Sequence, residues 1–414
     1  MAKVQIDELD REEQDWVENS LIEAERRKCV RKVLDIQKLT AVAKGDNYTS
    51  DLSRLRVKVQ QLDGRVVDRW VIYKTLPHTA LRHKYMKQAG LFRTEFRMYQ
   101  DVLPELESIR REKEVGEPYW GESYALRNYE SLLLEDLSVL GYKMGQRKEG
   151  LDLKHCSIAM RALGKFHALT AIHRERGNLI ISDFERHFLE RNIEMMGKFY
   201  TMAFEDLTKS LETKWEDEWK VYAKALRKLN ETLIKDLHKN FTIEHEKFNV
   251  LNHGDCWVNN VLFKYDAENN PVSLRFIDFQ MSFYNSPGYD LQYFLNTSPS
   301  YDVRLKKNEL LQIYYESLTT SLRSFEYEGE IPTMEDIHNG LQKAALYGLV
   351  TAVSLLPLML LKKEDVPDME EMLKLSEENP EDVPTGLIST DTEAYRNIMK
   401  IVLKDFEERG ILQL

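Results

Sequence analysis

The sequence predicts an α+β protein in which a β-rich N-terminal portion is followed by a mostly helical C-terminal portion. Two β-rich runs joined by an Asp-Gly pair lie near its start, and long amphipathic helical patterns dominate beyond Gly150. The length supports two units, because 414 residues exceed what one small core requires and suit two lobes or domains.

The composition is that of an ordinary globular protein. Hydrophobic residues make up 43% of the chain and charged residues 31%, and the formal net charge is −11. Because binding to a nucleic-acid backbone requires a basic face, this acidic balance argues against a nucleic-acid partner. It is compatible with a nucleotide substrate, since a few lysines and a metal ion invert the field within one cleft.

The cysteines and the N-terminus indicate the compartment. Cys29, Cys156 and Cys256 are unevenly spaced, which fits neither a disulfide framework nor a cysteine-based zinc site. The first residues are charged and lack the apolar core of a secretory signal. We therefore expect a cytoplasmic protein.

The N-terminal portion begins with a charged helical pattern over residues 10–27. Residues 56–62 and 65–75 are β-rich, and Asp63 and Gly64 lie between them. This dipeptide predicts a tight hairpin, because glycine tolerates the positive φ that the turn requires.

A helical segment follows over residues 80–103 and is expected to end before Pro104. The apolar SLLL of residues 131–134 is then a candidate buried strand. Acidic residues and a glycine succeed it, and we place the domain boundary there, between residues 1–135 and 136–414.

The C-terminal portion contains long amphipathic patterns over residues 156–175 and 214–240, interrupted by a short strand pair around Val250 and Phe276. The uncharged residues 344–361 reach the length of a membrane span. Polar residues and Pro357 dilute this stretch, so we interpret it as a buried helix of an all-α lobe, with no membrane span.

Polar residues cluster beside the strand pair, in LNHGDCWVNNVLF and LRFIDFQ. Asp255 and Asp278 each lie in a loop next to a short apolar strand, and in one hairpin-like unit they would face the same volume. Magnesium binds through one or two carboxylates plus substrate phosphates. Asp278 and Asn260 are therefore candidate metal ligands, and Asp255 is the candidate proton acceptor for an attacking hydroxyl. The alternative is that both aspartates only cap turns.

Phosphoryl transfer also requires a cation at the phosphates. Lys74 lies among bulky apolar residues of a β-rich run, where an ammonium group is costly without a partner. Glu95, on the next helical segment, is the candidate partner. The alternative is an exposed strand lysine and an exposed helix glutamate.

AKGDNYTS, residues 43–50, precedes the hairpin strands and includes Gly45, Asp46 and Asn47. Its backbone N–H groups could cover phosphates. A plain surface turn explains this single-glycine segment equally well.

The order of AKGDNYTS, VIYKTLP, FRTEFRMY, LLLEDL, HGDCWVNN and IDFQ resembles the protein-kinase-like fold in its small-molecule branch. That branch includes aminoglycoside phosphotransferases and choline kinases. LLLEDLSVLGYKMG, LGKFHA, NHGDCWVNNVLF and YDLQYFL are more closely similar to the ecdysteroid-kinase-like (CHK-kinase-like) family. The resemblance covers about residues 40–360 and implies a bilobal fold that uses ATP and Mg²⁺, with a nucleotide-binding N-terminal lobe and a catalytic, substrate-binding C-terminal lobe.

On the nucleotide side, the resemblance implies that Lys74 contacts the α and β phosphates and that Glu95 orients it. Glu135, Asp136 and Leu137 would form the hinge that reads adenine through the backbone.

On the catalytic side, the resemblance implies that Asp255 is the base and that Asn260 and Asp278 are the metal ligands. Asp290 of YDLQYFL would brace the catalytic loop, which is the segment HGDCWVNN. We expect His253 to pack and hydrogen-bond within that loop, without titrating in the mechanism.

Departures from protein kinases indicate a small-molecule enzyme. HGD replaces HRD, DFQ replaces DFG, and we find no APE segment. These features argue against a kinase controlled by activation-loop phosphorylation. Cys256 is interpreted as a packing residue and His167 as a satisfied core histidine.

Three functions remain open at this level. The first is ATP-dependent phosphorylation of a hydroxyl on an apolar metabolite such as an ecdysteroid, in a pocket walled by helical-lobe aromatics, although such aromatics are more often core. The second is a choline- or aminoglycoside-type kinase, which needs carboxylates or an aromatic cage. The third is an inactive kinase fold that binds a hormone or xenobiotic. The aromatics in question are Phe199, Tyr200, Phe204, Trp215 and Trp219, and the acidic candidates are Glu194, Glu205, Asp206, Glu216 and Asp217.

Overall fold

The computed structural model describes residues 9–24, 30–40, 50–361 and 392–414. The N-terminal portion contains α1 (Arg11–Ala24), β1 (Val30–Thr40), β2 (Asp51–Gln61), β3 (Val66–Thr75), α2 (Ala80–Ala89), α3 (Leu91–Arg97), α4 (Leu103–Arg111), β4 (Ser123–Arg127) and β5 (Ser131–Glu135). The later portion contains β6 (Lys143–Met144), α5 (Leu153–Glu175), α6 (Phe188–Arg191), α7 (Ile193–Lys214), α8 (Lys220–Asn230), α9 (Leu233–Asn240), β7 (Val250–Asn252), β8 (Val261–Tyr265), β9 (Pro271–Phe276), β10 (Phe283–Asn285), α10 (Gly288–Thr297), α11 (Tyr301–Arg304), α12 (Lys307–Ser324), α13 (Met334–Lys343), α14 (Ala345–Leu360) and α15 (Glu393–Glu408). The predicted α+β class is confirmed.

The N-terminal sheet has the strand order β1-β2-β3-β5-β4, and its neighbouring strands are antiparallel. The predicted hairpin is confirmed, with Gly64 at φ 88° in the turn between β2 and β3. The predicted buried strand SLLL is β5.

The two faces of this sheet have different roles. One face packs against α1 and forms a separate apolar cluster. That cluster includes Val17, Leu21, Leu55, Val57, Val71, Tyr73 and Leu133. Because successive side chains of a strand point to opposite faces, Lys74 projects from the other face. The sheet therefore presents Lys74 toward the rest of the molecule.

The helix predicted over residues 80–103 differs from the observed one in two ways. Gly90, at φ 71°, separates α2 from α3. The chain then passes through a π-helical turn, Met98–Val102, into α4, which extends beyond Pro104 to Arg111. Proline is tolerated there because the first helical turn leaves its N–H groups without helical partners. The prediction that the helix ends before Pro104 is wrong.

In the helical portion, α5 confirms the helix predicted over residues 156–175. The single helix predicted over residues 214–240 is instead a short 3₁₀ turn, Asp217–Trp219, followed by α8 and α9. The amphipathic pattern continues across the break, which explains why periodicity alone did not detect it.

The short strands pair differently from the hairpin-like unit predicted around Asp255 and Asp278. Strand β7 pairs with β10, whereas β9 pairs with β8. The two loops therefore follow strands of separate small sheets. The strand-end positions of both aspartates are as predicted, but the pairing of their strands is not.

Helix α14 is largely buried despite Pro357 within it, as interpreted from the sequence. Within the described ranges, no single helix has the length and apolar character of a membrane span. Helices α13 and α14 reach that length and apolar character only when they are taken together, and the pair is bent by 57°.

Candidate active site

Lys74 joins side chains from three parts of the chain. Its Nζ lies 2.6 Å from Oε2 of Glu95 on α3 and 2.7 Å from Oδ1 of Asp278 after β9. The predicted ion pair with Glu95 is confirmed, and only 4% of Lys74 is exposed. Burial disfavours the ammonium charge, but the carboxylates of Asp278 and Glu95 outweigh it and raise the pKa of Lys74. The lysine is therefore a fixed cation.

Glu95 is completely buried. Burial raises the pKa of its carboxyl, Lys74 opposes this shift, and the charge of Asp278 adds to it. Glu95 therefore depends on Lys74 for its ionised state, so the two groups act as one unit.

Asp278 has left-handed backbone angles, φ 66° and ψ 63°. Aspartate tolerates this region better than most residues. Its side chain is 21% exposed, and Oδ2 accepts a 3.3 Å hydrogen bond from Gln280. One carboxylate oxygen thus binds Lys74, while the other accepts the hydrogen bond from Gln280.

Both carboxylate oxygens of Asp255 accept hydrogen bonds. Tyr293 donates its hydroxyl to Oδ1 at 2.5 Å, and Asn260 donates Nδ2 to Oδ2 at 2.8 Å. Burial, and then the negative charge of Asp278, raise the pKa of Asp255 to about 7. The loop thus contains a half-buried carboxyl in a defined orientation.

The chemistry of the donors fits Mg²⁺. Asn260 also donates Nδ2 to the backbone oxygen of Asp255 at 2.9 Å, which leaves its amide oxygen as the free ligand atom. In the part of the chain that the structure describes, no group of three or more His, Cys, Asp or Glu side chains could hold a metal ion. An ion here would use Asp278 and Asn260 and complete its oxygen shell with phosphate and water.

Asp290, on α10, is buried behind the catalytic loop. Its two oxygens accept the backbone N–H groups of His253 at 2.6 Å and Gly254 at 2.9 Å. His167 lies 3.1 Å from Asp290 and 2.8 Å from the Tyr314 hydroxyl. As expected, His167 is a hydrogen-bonded core histidine, and it also supports Asp290.

His253 packs beside Phe279 with ring centroids 4.7 Å apart. Its Nε2 faces the Ile277 carbonyl at 3.0 Å, and its Nδ1 faces the backbone N–H of Asp255 at 3.3 Å. These partners require a neutral ring with the proton on Nε2. Burial also lowers the pKa of His253, in agreement with a packing role.

Gly254 allows the catalytic loop to approach the segment after β9. It has φ +83°, and a Cβ there would lie 2.0 Å from the Met281 carbonyl oxygen. We expect Gly254→Ala to lower the free energy of unfolding by more than about 2 kcal/mol through strain and to displace Asp255. Urea unfolding measures the effect. Gly64→Ala is the matched control, because Gly64 has φ +88° with nothing within 4 Å, and equal losses in the two variants would refute the role of close approach.

The predicted hinge connects β5 to the later portion. Asp136 accepts hydrogen bonds from the Ser138 N–H at 3.0 Å and from Arg54 at 2.5 Å. Glu135 donates its N–H to Glu122 at 2.9 Å. The Asp136 side chain is therefore committed to local structure.

Leu137 is buried at the start of a 3₁₀ turn, and its carbonyl accepts the Tyr142 N–H at 3.1 Å. Gly45, Asp46 and Asn47, predicted to cover phosphates, lie outside the described residues.

The aromatic residues suggested as a pocket wall all belong to the main apolar core or, in the case of Phe199, pack against it. Phe204, Trp215 and Trp219 are buried in the main apolar core. Tyr200 is also buried, but it lies near Asp255: burial and the Asp255 charge raise its pKa. Tyr200 is thus one of these aromatics that lies near Asp255.

Two of the acidic candidates, Glu216 and Asp217, pair with lysines. Glu216 pairs with Lys400 at 3.1 Å, and Asp217 pairs with Lys220 at 2.6 Å. Cys256 is buried, and burial raises the pKa of its thiol well above the usual value, which agrees with a packing role.

Sequence reasoning missed three residues that contact the site: Tyr293, Gln280 and Arg54. Tyr293 lies within YDLQYFL, three positions after Asp290, and residues at that spacing share one face of a helix. That spacing was an available signal. The contact of Arg54 with Asp136 depends on strand pairing and had no local signal.

A β-strand lysine is thus held by a helix glutamate and a loop aspartate, beside a second loop aspartate backed by asparagine, and this arrangement is compatible with the protein-kinase-like fold. Residues 44–327 match the Ecdysteroid kinase-like family, EcKL, and the chain therefore belongs to that family. This membership supports a small-molecule kinase.

No curated protein matches the sequence significantly. Among solved structures, the chain is similar to an ethanolamine kinase from Plasmodium vivax, with 11% identity, TM-score 0.39, and coverage of 97% of this chain and 91% of that one. It is also similar to an aminoglycoside phosphotransferase from Alicyclobacillus acidocaldarius subsp. acidocaldarius DSM 446, with 10% identity, TM-score 0.32, and coverage of 92% and 93%.

Proposed function

We propose that the protein transfers the γ-phosphoryl group of ATP, with Mg²⁺, to a hydroxyl of an apolar small molecule. The observation that carries this proposal is the bonding of Lys74 to both Glu95 and Asp278 within 2.7 Å. A nucleotide site requires such a cation beside a metal-binding carboxylate. Two isolated surface residues would not explain a lysine buried to this degree.

On the nucleotide side, Lys74 holds the α and β phosphates and Glu95 keeps Lys74 oriented. Glu135, Asp136 and Leu137 contact adenine through their backbone groups, at the boundary between lobes 1–135 and 136–414. Asp278 and the amide oxygen of Asn260 hold Mg²⁺, which when bound neutralises charge on the phosphates.

On the acceptor side, Asp255 takes the proton of the attacking hydroxyl. The acceptor oxygen forms a bond to the γ phosphorus, the bond between that phosphorus and the bridging oxygen breaks, and ADP leaves with the electron pair. Asp290 keeps the loop backbone in place through His253 and Gly254.

We propose an ecdysteroid or a related steroid or xenobiotic as the acceptor. Family membership supports this class, and Glu216 and Asp217, two carboxylates considered for a cationic acceptor, are paired with lysines instead. A choline- or aminoglycoside-type acceptor is the alternative. Phosphorylation assays with ecdysone and choline in competition discriminate the two: inhibition of ecdysone phosphorylation by choline would favour the alternative.

Thermal unfolding tests the nucleotide site without knowledge of the acceptor. ATP with Mg²⁺ is expected to raise the melting temperature, because a ligand that binds only the folded state stabilises it by about 2.7 kcal/mol at a hundredfold excess over its Kd. EDTA should remove the magnesium-dependent part of this rise, as should Asp278→Asn.

Asp68→Asn is the control for that experiment, because Asp68 pairs with Arg56 on the surface, at 2.5 Å. It should keep the full response to ATP and Mg²⁺. No rise at millimolar nucleotide in the unaltered protein would contradict the kinase proposal and favour an inactive, ligand-binding protein.

A further inference from the structure

Helix α10 reaches the catalytic loop with two side chains on one face. Asp290 accepts the backbone N–H groups of His253 and Gly254, and Tyr293 donates its hydroxyl to Asp255. Residues three apart on a helix are neighbours on its surface. The same helix therefore contacts both the backbone of the loop and the side chain of Asp255.

The hydrogen bond from Tyr293 is well defined. The hydroxyl lies 2.5 Å from Oδ1 of Asp255, and Tyr293 is only 5% exposed. Burial, followed by the Asp255 charge, raises the pKa of Tyr293 well above its usual value, so the phenol stays protonated and acts as the donor.

Asp255 is consequently held at both oxygens. Asn260, from its own loop, binds Oδ2 at 2.8 Å, and Tyr293 binds Oδ1 from α10. A carboxylate oxygen accepts two hydrogen bonds, so each oxygen keeps one position for an acceptor hydroxyl. Two fixed partners, one at each oxygen, leave the carboxylate little freedom to rotate.

We propose that Tyr293 is a positioning residue, which fixes the side-chain rotamer of Asp255 for attack by the acceptor hydroxyl. This role rests on the proposed function. Asp290 sets the path of the loop backbone, whereas Tyr293 sets the direction of the carboxylate. A loss of orientation of about 1 Å at a reacting group lowers rates by about 100-fold.

A matched control lies in the same aromatic cluster. The Tyr347 ring is 6.0 Å from that of Tyr293, and Tyr347 is 1% exposed. Its hydroxyl has no hydrogen-bond partner among the residues that the structure describes. Tyr347→Phe therefore removes the same atom from the same core without removing a hydrogen bond to Asp255.

The test compares Tyr293→Phe with Tyr347→Phe in steady-state phosphoryl transfer from ATP to ecdysone, and to water. We expect Tyr293→Phe to lower kcat about 10- to 100-fold with the KM for ATP unchanged, because only orientation is lost. Tyr347→Phe should leave both constants within about twofold. An equal kcat in the two variants, or a KM for ATP that rises as much as kcat falls, would overturn the proposal.

A second measurement does not depend on activity. The melting-temperature changes of Tyr293→Phe and Asp255→Ala should fail to add in the double variant, because contacting residues are coupled. If the unaltered protein transfers phosphate to neither ecdysone nor water, the proposed function fails. The comparison of the two single variants with the double variant then still tests the contact between Tyr293 and Asp255. Additive changes would overturn the role of Tyr293; non-additive changes would support it.

Discussion

Asp255→Asn is expected to lower the rate of phosphoryl transfer by about 100- to 10,000-fold, the usual contribution of a positioned general base. Asparagine has nearly the same shape as aspartate but cannot take the acceptor proton. Single-turnover measurement with radiolabelled ATP isolates this step from product release.

Binding of ATP and Mg²⁺ to Asp255→Asn should persist, because Lys74, Asn260 and Asp278 are unchanged. The magnesium-dependent rise in melting temperature is therefore the control for this variant. A transfer rate within threefold of the unaltered protein would show that Asp255 is not the base. A loss of nucleotide binding would show instead that it contributes to the metal site.

Lys74→Met is expected to lower the free energy of unfolding by about 3–5 kcal/mol, the usual effect of removing one partner of a buried ion pair. The change leaves Glu95 fully buried and facing Asp278 without the intervening cation. It also removes the group proposed to hold the phosphates, so ATP should no longer raise the melting temperature.

The double variant Lys74→Met/Glu95→Gln separates stability from binding. It removes both charges of the buried pair, so most of the lost stability should return, as double-mutant cycles show for coupled residues. Nucleotide binding should not return. Urea unfolding of Lys74→Met, Glu95→Gln and the double variant measures the free energy of unfolding. If Lys74→Met and the double variant lose equal stability, Lys74 and Glu95 are not coupled.

Local chemistry was sufficient for several parts of the fold. Asp63-Gly64 between two β-rich runs predicts the β2–β3 hairpin, because the turn depends only on the backbone freedom of adjacent residues. A lysine among apolar strand residues predicts a buried partner for Lys74, because an unpaired ammonium group is costly to bury. Both predictions depend only on the properties of a few neighbouring residues.

Other local patterns predicted the wrong structure. The apolar period of residues 80–103 continues through Gly90 and the π-helical turn Met98–Val102, and periodicity does not change where a helix is only bent or bulged. Pro104 indicates a boundary when read alone, yet it lies in the first turn of α4, where a missing N–H has no cost.

The sequence by itself determined which groups carry the candidate chemistry: Lys74, Glu95, Asp255, Asn260 and Asp278 are all recognisable from residue type and spacing. These are charged or polar side chains, and such groups need a partner whenever they are buried.

Only the tertiary structure decided how these groups meet. Strand β7 pairs with β10 and not with β9, and Tyr293 reaches Asp255 from another element, 38 positions along the chain. Such contacts depend on how whole helices and sheets pack. Packing energy is shared among many side chains distant in sequence, so no short stretch of the chain specifies it.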